Sequence, residues 1–371
     1  MQLSTPGLAK HIAPGSWKFA FGSLLPGTSL ALLLALLSSR LALWLGSAPM
    51  KVAIPASPVV IAIALGIAIS TLTKLDKRFY PGLMFSQCRI LQLGVTLLGI
   101  RLSFSELATI GLNSLPLIAL CICSALILVN ILGKRLRVSR ALTALIAAGT
   151  SICGATAIMT AAPIIGARNH EVSYAIACIT FFGIIATLAY PVGAHWLFDG
   201  DAQRIGLFLG TAVHDTAQVV GAGMIYQNLY GTEQVLDAAT VTKLVRNLAM
   251  LIVIPALSIM FRKNNSTEGR RLHWASLVPV FIVGFVVMSL LRTAGDLRMG
   301  PLSLLSIDQW NTGVEMLKHA AEYCLLIAMA AIGLNTKLSG IIEIGFKPLV
   351  LGLTAACALG VISSTCISLL Y

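Results

Sequence analysis

A chain of 371 residues that is 57% hydrophobic and only 11% charged, with a mean hydropathy of +0.89, is excluded from the soluble globular class, whose domains carry about twice that share of charge. The net charge of +12 would point to nucleic acid in a soluble protein. Here the Lys and Arg residues fall in short gaps between apolar blocks, where they act first as an orientation signal, so nucleic acid is not expected as a partner. The eight cysteines lie inside apolar blocks, where a reduced thiol behaves as a small hydrophobe. No Cys and His spacing of the metal-site kind appears, so disulfides, a zinc cluster and a cofactor are not expected.

In chain order, residues 1–25 read as an N-terminal interfacial segment. Pro6, Pro14 and scattered charge argue against a cleavable signal, and Lys10, His11, Trp17 and Lys18 suit the inner headgroup surface. Residues 26–371 read as one transmembrane domain. Apolar blocks near 26–46, 53–72, 81–100, 106–132, 141–166, 172–197, 205–227, 236–261, 274–291, 313–335 and 347–370 predict an all-α polytopic protein of about 11 crossings. With the N-terminus inside, the inner loops collect Lys74, Lys77, Arg78, Lys134, Arg135, Arg137, Arg140, Arg262, Lys263, Arg270 and Arg271. The outer loops hold only Lys51, Arg101, Arg168, Arg292 and Arg298. That bias predicts a cytoplasmic N-terminus and an outer C-terminus.

Gly99 to Cys123 can be laid on Gly333 to Cys357 without a gap. The alignment matches Gly99 with Gly333, Ser105 with Ser339, Gly111 with Gly345, Leu115 with Leu349, Leu117 with Leu351 and Cys123 with Cys357. The topology puts the two copies in opposite orientations, as in an inverted repeat with halves near 53–197 and 203–371. Chance similarity between apolar segments is the competing reading.

Two stretches have the wrong composition for a continuous lipid-facing helix. One is Gly149-Thr150-Ser151-Ile152-Cys153-Gly154-Ala155-Thr156, and the other runs from Gly206 to Gly223 through His214, Asp215 and Gln218. Broken backbone at membrane depth survives only against protein or a watery cavity. A half-helix starting after such a break offers free N–H groups and the positive end of its dipole, which suits an anion. Thr150, Ser151, Cys153, Gly154 and Thr156 are therefore candidate substrate contacts, with small-residue helix packing as the alternative for 149–156. His214, Asp215 and Gln218 are polar groups near the middle of a crossing and functional candidates by default. His214 and Gln218 share a helix face, and His214 with Asp215 forms the candidate coupling-ion pair, a structural hydrogen-bond network being the alternative.

Lys243 and Arg246 lie three apart and point the same way on a helix. Either they snorkel to the interface or they point inward and need a counter-charge, for which Asp215 and a bound anion are candidates. Arg40 is expected at the outer headgroups. Arg89 with Gln92 can line a cavity or reach the inner surface, and Glu315, Lys318, His319 and Glu322 form a salt-bridged turn.

Thr150-Ser151-Ile152-Cys153-Gly154-Ala155, Val213-His214-Asp215 with Ala217-Gln218-Val219-Val220, Lys243 followed by Arg246, and Ala328-Met329-Ala330-Ala331-Ile332-Gly333-Leu334 together resemble the YeiH-like family of bacterial inner-membrane proteins. Members of that family are generally labelled sulfate exporters. The resemblance runs from about residue 25 to the end. It implies a plasma-membrane location, a homodimer, and kinship with the sodium/proton antiporter and bile-acid transporter superfamily, whose mark is two crossed discontinuous helices. The family usually has Glu where this chain has Asp215, one methylene shorter. The reading that follows is a secondary transporter of a small anion such as sulfate or a sulfonate, coupled to a proton or ion. No Gly-x-x-x-x-Gly-Lys-Ser/Thr loop for direct ATP use is present. The rival readings are a passive anion channel and an intramembrane enzyme using Cys153 with His214.

Overall fold

A computed structural model describes residues 21–47, 57–73, 75–261, 278–297, 306–336 and 346–371. Lys10, His11, Trp17, Lys18, Lys51, Lys74, Arg262, Lys263, Arg270, Arg271, Arg298, Ser339 and Gly345 lie outside the described residues. Every element among the described residues is helical: α1 (Phe21–Ser47), α2 (Pro58–Leu72), α3 (Lys77–Arg101, with a π turn at Ser86–Ile90), α4 (Phe104–Arg135), α5 (Arg140–Ser151), α6 (Ala155–Ile165), α7 (Asn169–Leu197), α8 (Ala202–Ala212), α9 (Thr216–Tyr230), α10 (Glu233–Leu248), its continuation α11 (Met250–Phe261), α12 (Val280–Asp296), α13 (Ile307–Asn335) and α14 (Phe346–Leu370). Among the described residues, seven helices are long and apolar enough to cross a bilayer, namely α1, α3, α4, α7, α10 with α11, α13 and α14.

The helices pack antiparallel to fix two ends of the bundle. Arg101, at the end of α3, pairs with Glu322 of α13, while Asn335 at the end of α13 donates to Gln87 near the start of α3 at 2.9 Å. The end of α14 meets α4 near its start, where Tyr371 donates through its hydroxyl to Asn113 O. Close helix approach depends on missing side chains: a Cβ on Gly66 of α2 would lie 2.8 Å from the backbone of Gly333 in α13. One apolar core joins α1, α2, α3, α12 and α13 to parts of α9 and α10. Two others bind α4 to α14 and the short helices.

Residues 141–166 and 205–227, each expected to cross, instead fold back on themselves. Ser139 at the mouth of α5 donates to Glu171 of α7 at 2.5 Å, Gly149 lies against Ile158 of α6, and α6 ends on Gly166, three residues before α7 begins. Gly206 and Gly210 of α8 face Ala238 and Thr242 of α10, whereas Thr216 and Gly223 of α9 face Asn247 and Leu236. The chain thus runs inward along α10 and back out. Tyr226 and Tyr230 return to His195 at the end of α7, with a 2.9 Å hydrogen bond to Tyr226 and a ring stack 3.8 Å from Tyr230. Single arms of 12, 11, 11 and 15 residues reach only about 17–22 Å, short of a core of about 30 Å, so each ends inside the bundle, and the reversal itself is made by the turns at Ile152–Gly154 and Val213–Asp215. Each hairpin then closes on a left-handed glycine, Gly166 at φ 66° and Gly231 at φ 71°, a conformation that stops a helix and costs glycine little.

The two hairpins open at opposite ends. The α5–α6 mouth shares its end with Lys134, Arg135, Arg137, Arg140 and Arg168, and Arg140 lies over the Phe261 ring at 4.8 Å. Arg168, expected on the opposite side from Arg140, lies on the same one because the chain between them turns back. The α8–α9 mouth opens on the acidic end with Asp199, Asp201, Glu233 and Asp237. There the side chain of Arg101, only 2% exposed, is gripped by Asp237 at 2.7 Å, Glu233 at 2.9 Å and Glu322 at 3.6 Å. This knot ties α3 and α13 to the start of α10. Arg101→Ala strands three carboxylates around a vacated site and is expected to destabilise the protein by about 3 kcal/mol, read as a lowered Tm of detergent-purified protein, with Arg101→Lys recovering part of the loss.

Candidate functional site at the hairpin tips

The hairpin tips meet beside the middle of the helix formed by α10 and α11, and the backbone dictates what must happen there. Each first arm ends in carbonyls without helical partners, and each second arm begins with unpaired N–H groups. At the α5–α6 tip the turn Ile152-Cys153-Gly154 reverses the chain, with Gly154 at φ 64° and its N–H donating to Gly149 O at 2.9 Å. At the α8–α9 tip Val213, His214 and Asp215 link the two arms, with Val213 and Asp215 extended.

Lys243 and Arg246, both fully buried on α10, satisfy the carbonyls of both tips. The Lys243 ammonium donates to Ile152 O at 3.0 Å, to Val213 O at 3.1 Å and to His214 O. Arg246 donates from Nε to Ser151 O at 2.8 Å and from its terminal nitrogens to Thr150 O and, at 2.5 Å, to Thr211 O. Its Nη1 also reaches Val213 O at 3.3 Å and Gly210 O at 3.4 Å. Two cations thus sit at the negative ends of two short helices, the arrangement that helix dipoles favour. Neither cation snorkels to an interface.

Asp215 does the reverse at the positive ends. Its Oδ1 accepts from Ala217 N of α9 at 3.0 Å, and its carboxylate also faces the N–H of Ala155, the first residue of α6. A Cβ on Gly154 would stand 2.8 Å from Asp215 Oδ2, so glycine there lets the carboxylate approach. Gln218 completes the α9 cap: its Oε1 accepts from Asp215 N at 3.2 Å, and its Nε2 donates to Thr180 O of α7 at 3.1 Å.

The remaining candidates divide by access. Thr150 and Ser151 are buried and lend their carbonyls to Arg246. Cys153 is buried with its Sγ 3.5 Å from Met250 Sδ. His214 is buried, with no hydrogen-bond partner on Nδ1 among the described residues. Thr156 is exposed, and Ala155 and Asp215 are half-buried, so the seam between Asp215 and the α6 N-terminus is the least buried part of the cluster. Arg89 and Gln92 of α3 bond each other at 3.4 Å, and Lys318 pairs with Glu315 at 2.8 Å.

Asn247, which the sequence pattern marks only as a neighbour of Arg246, is buried and donates to Thr216 Oγ1 at 3.1 Å, while its Oδ1 lacks a partner among the described residues. The available signal was a third polar residue directly after Arg246 in an apolar stretch. Arg101 reads from the sequence only as a loop charge, although Glu233 and Asp237, four apart, present carboxylates on one helix face.

Arg246→Ala removes donors from several buried carbonyls at once and is expected to cost about 3–5 kcal/mol or to abolish folding. Thr156→Ala, at an exposed position, is expected to stay within about 0.5 kcal/mol of the parent. Thermal melts of the two purified variants, with size-exclusion profiles, check the contrast.

A family model described as "Conserved hypothetical protein 698" matches residues 30–352. A UPF0324 membrane protein of Fusobacterium nucleatum is 33% identical over 307 residues, covering 82% of this chain and 88% of that protein. One from Streptococcus agalactiae is 33% identical over 344 residues, 92% of this chain and 96% of its own length. One from Haemophilus influenzae is 32% identical over 316 residues, 84% and 88% of the two chains. No solved structure matches. The YeiH-like resemblance fits this grouping, and the chain belongs to the UPF0324 family of membrane proteins.

Proposed function

We propose that this membrane protein is a secondary transporter of a small anion, with its site at the seam between the two hairpin tips and Asp215 as the coupling group. The observation that carries the reading is the pair of hairpins entering from opposite ends and meeting at Lys243, Arg246 and Asp215. Oppositely oriented units around a central site are the architecture that alternating access uses. The antiparallel packing of α3 on α13 and of α4 on α14 supports an inverted repeat, with 53–197 and 203–371 as its halves.

The charge balance supports an anion. Two helix C-termini contribute about −0.5 each and two N-termini about +0.5 each, so these cancel. Lys243 and Arg246, when both are charged, then outweigh Asp215 by one positive charge. The anion would meet the α6 N-terminus and the Thr156 hydroxyl, with the excess positive charge behind the carbonyls. A proton on Asp215 would release the carboxylate from Ala155 and leave that N–H to an incoming oxyanion. Sulfate and sulfonates fit these donors. The basic end of the bundle supports a cytoplasmic placement for the α5–α6 mouth and the N-terminus, and the plasma membrane as the location.

The pairing of Cys153 with Met250 rather than with a base supports transport over thiol chemistry. In the enzyme reading Cys153→Ala is inactive; here it retains transport. Asp215→Asn in proteoliposomes is expected to abolish coupled, pH-dependent uptake, whereas a channel keeps its flux and coupled uptake unchanged in that variant removes the assignment. Thr156→Val is expected to weaken the bound anion about tenfold or more, the worth of one hydrogen bond to a charged group. A thermal-shift series with sulfate, sulfite, thiosulfate, taurine and dicarboxylates measures it.

A further inference from the structure

A second site lies at the basic end, outside the hairpin tips. Asn130 and Lys134 of α4, Val138 in the following turn, Arg140 and Thr143 in the first turns of α5, and Met260 of α11 enclose a cavity of about 410 Å³. Three of its features select a phosphate group. Lys134 and Arg140 supply two cations on its rim, and the Asn130 amide adds a donor. Thr143, 5% exposed, lines the cavity, and its buried hydroxyl has no hydrogen-bond partner among the described residues. The cavity also stands at the N-terminus of α5, a 12-residue helix whose positive end favours an anion.

Arg140 is held in place by Phe261, 4.8 Å away, and by Met260 O at 3.4 Å. Glu171, at the neighbouring start of α7, is already engaged by Ser139 at 2.5 Å and Arg168 at 3.4 Å, and no ion pair joins Lys134 or Arg140 to a carboxylate among the described residues. Immediately deeper, Ile127 and Ile131 of α4 and Ile259 and Met260 of α11 expose 51–74% of their surfaces, the flank that acyl chains cover. The pocket is therefore at the junction of chains and headgroups.

We infer that this pocket binds the phosphate of an anionic phospholipid, with Lys134, Arg140 and Thr143 on the headgroup and the exposed isoleucines against the acyl chains. A lipid seated there braces the mouth of the α5–α6 hairpin against α4 and α11. Basic pockets between helices on the cytoplasmic side bind such headgroups by the same chemistry.

Native mass spectrometry of the full-length protein in neutral detergent, titrated with phosphatidylglycerol, phosphatidylcholine or inorganic phosphate, tests this. Phosphatidylglycerol is expected to bind at least about tenfold more tightly than phosphatidylcholine. Lys134→Gln is expected to weaken it about fivefold and the double variant with Arg140→Gln about 25-fold. Thr143→Val is expected to weaken it severalfold, and Lys77→Gln, elsewhere on the same end, to leave it unchanged. Because Arg140 also packs on Phe261, Lys134→Gln and Thr143→Val carry the test if the double variant does not fold. Equal affinity for the two lipids, unchanged binding in Lys134→Gln and Thr143→Val, or inorganic phosphate binding as tightly as the lipid would each overturn the assignment.

Discussion

Unpaired backbone in the middle of a membrane protein is the constraint from which the rest of this structure follows. Four short helices end or begin at the centre of the bundle, and neither lipid nor bulk water is there to satisfy their terminal groups. Lys243 and Arg246 gather the carbonyls of residues 150–152, 210, 211, 213 and 214, and Asp215 gathers the amides that open α6 and α9. Three charged side chains thereby hold four helix ends. Their burial, costly for isolated charges, is offset because each faces a helix end of opposite sign.

The same arrangement leaves the three charged side chains differently buried. The cations are encircled by carbonyls and fully buried, whereas the carboxylate is half-buried beside an exposed hydroxyl. Neutralising Lys243 or Arg246 would loosen both tips. Neutralising Asp215 would weaken its hold on the amides of Ala155 and Ala217.

Much of this was legible in the sequence. Composition and block lengths indicated an all-helical membrane protein, and the Gly-rich runs with His214 and Asp215 located both interruptions. Direction was not legible, because an apolar block with a central break has the same length and hydropathy whether its second arm goes on or turns back. Gly166 and Gly231, each just past a second arm, were the available hints. The two cations beside the breaks were visible at their three-residue spacing, but their partners are carbonyls, which every residue has and no sequence pattern marks. Arg101 was similarly opaque, since its three carboxylates come from positions 132 to 221 residues away.

The direction of the two short-helix pairs is open to a direct measurement. Single cysteines at Arg137, Asn169, Asp201 and Gln234, placed in a cysteine-free background, can be labelled with a membrane-impermeant maleimide in intact cells and in inverted vesicles. Two hairpins entering from opposite ends require Arg137 and Asn169 to react from one face and Asp201 and Gln234 from the other. Labelling of Arg137 and Asn169 from opposite faces would mean that residues 140–165 cross the bilayer, and would contradict the account at its base.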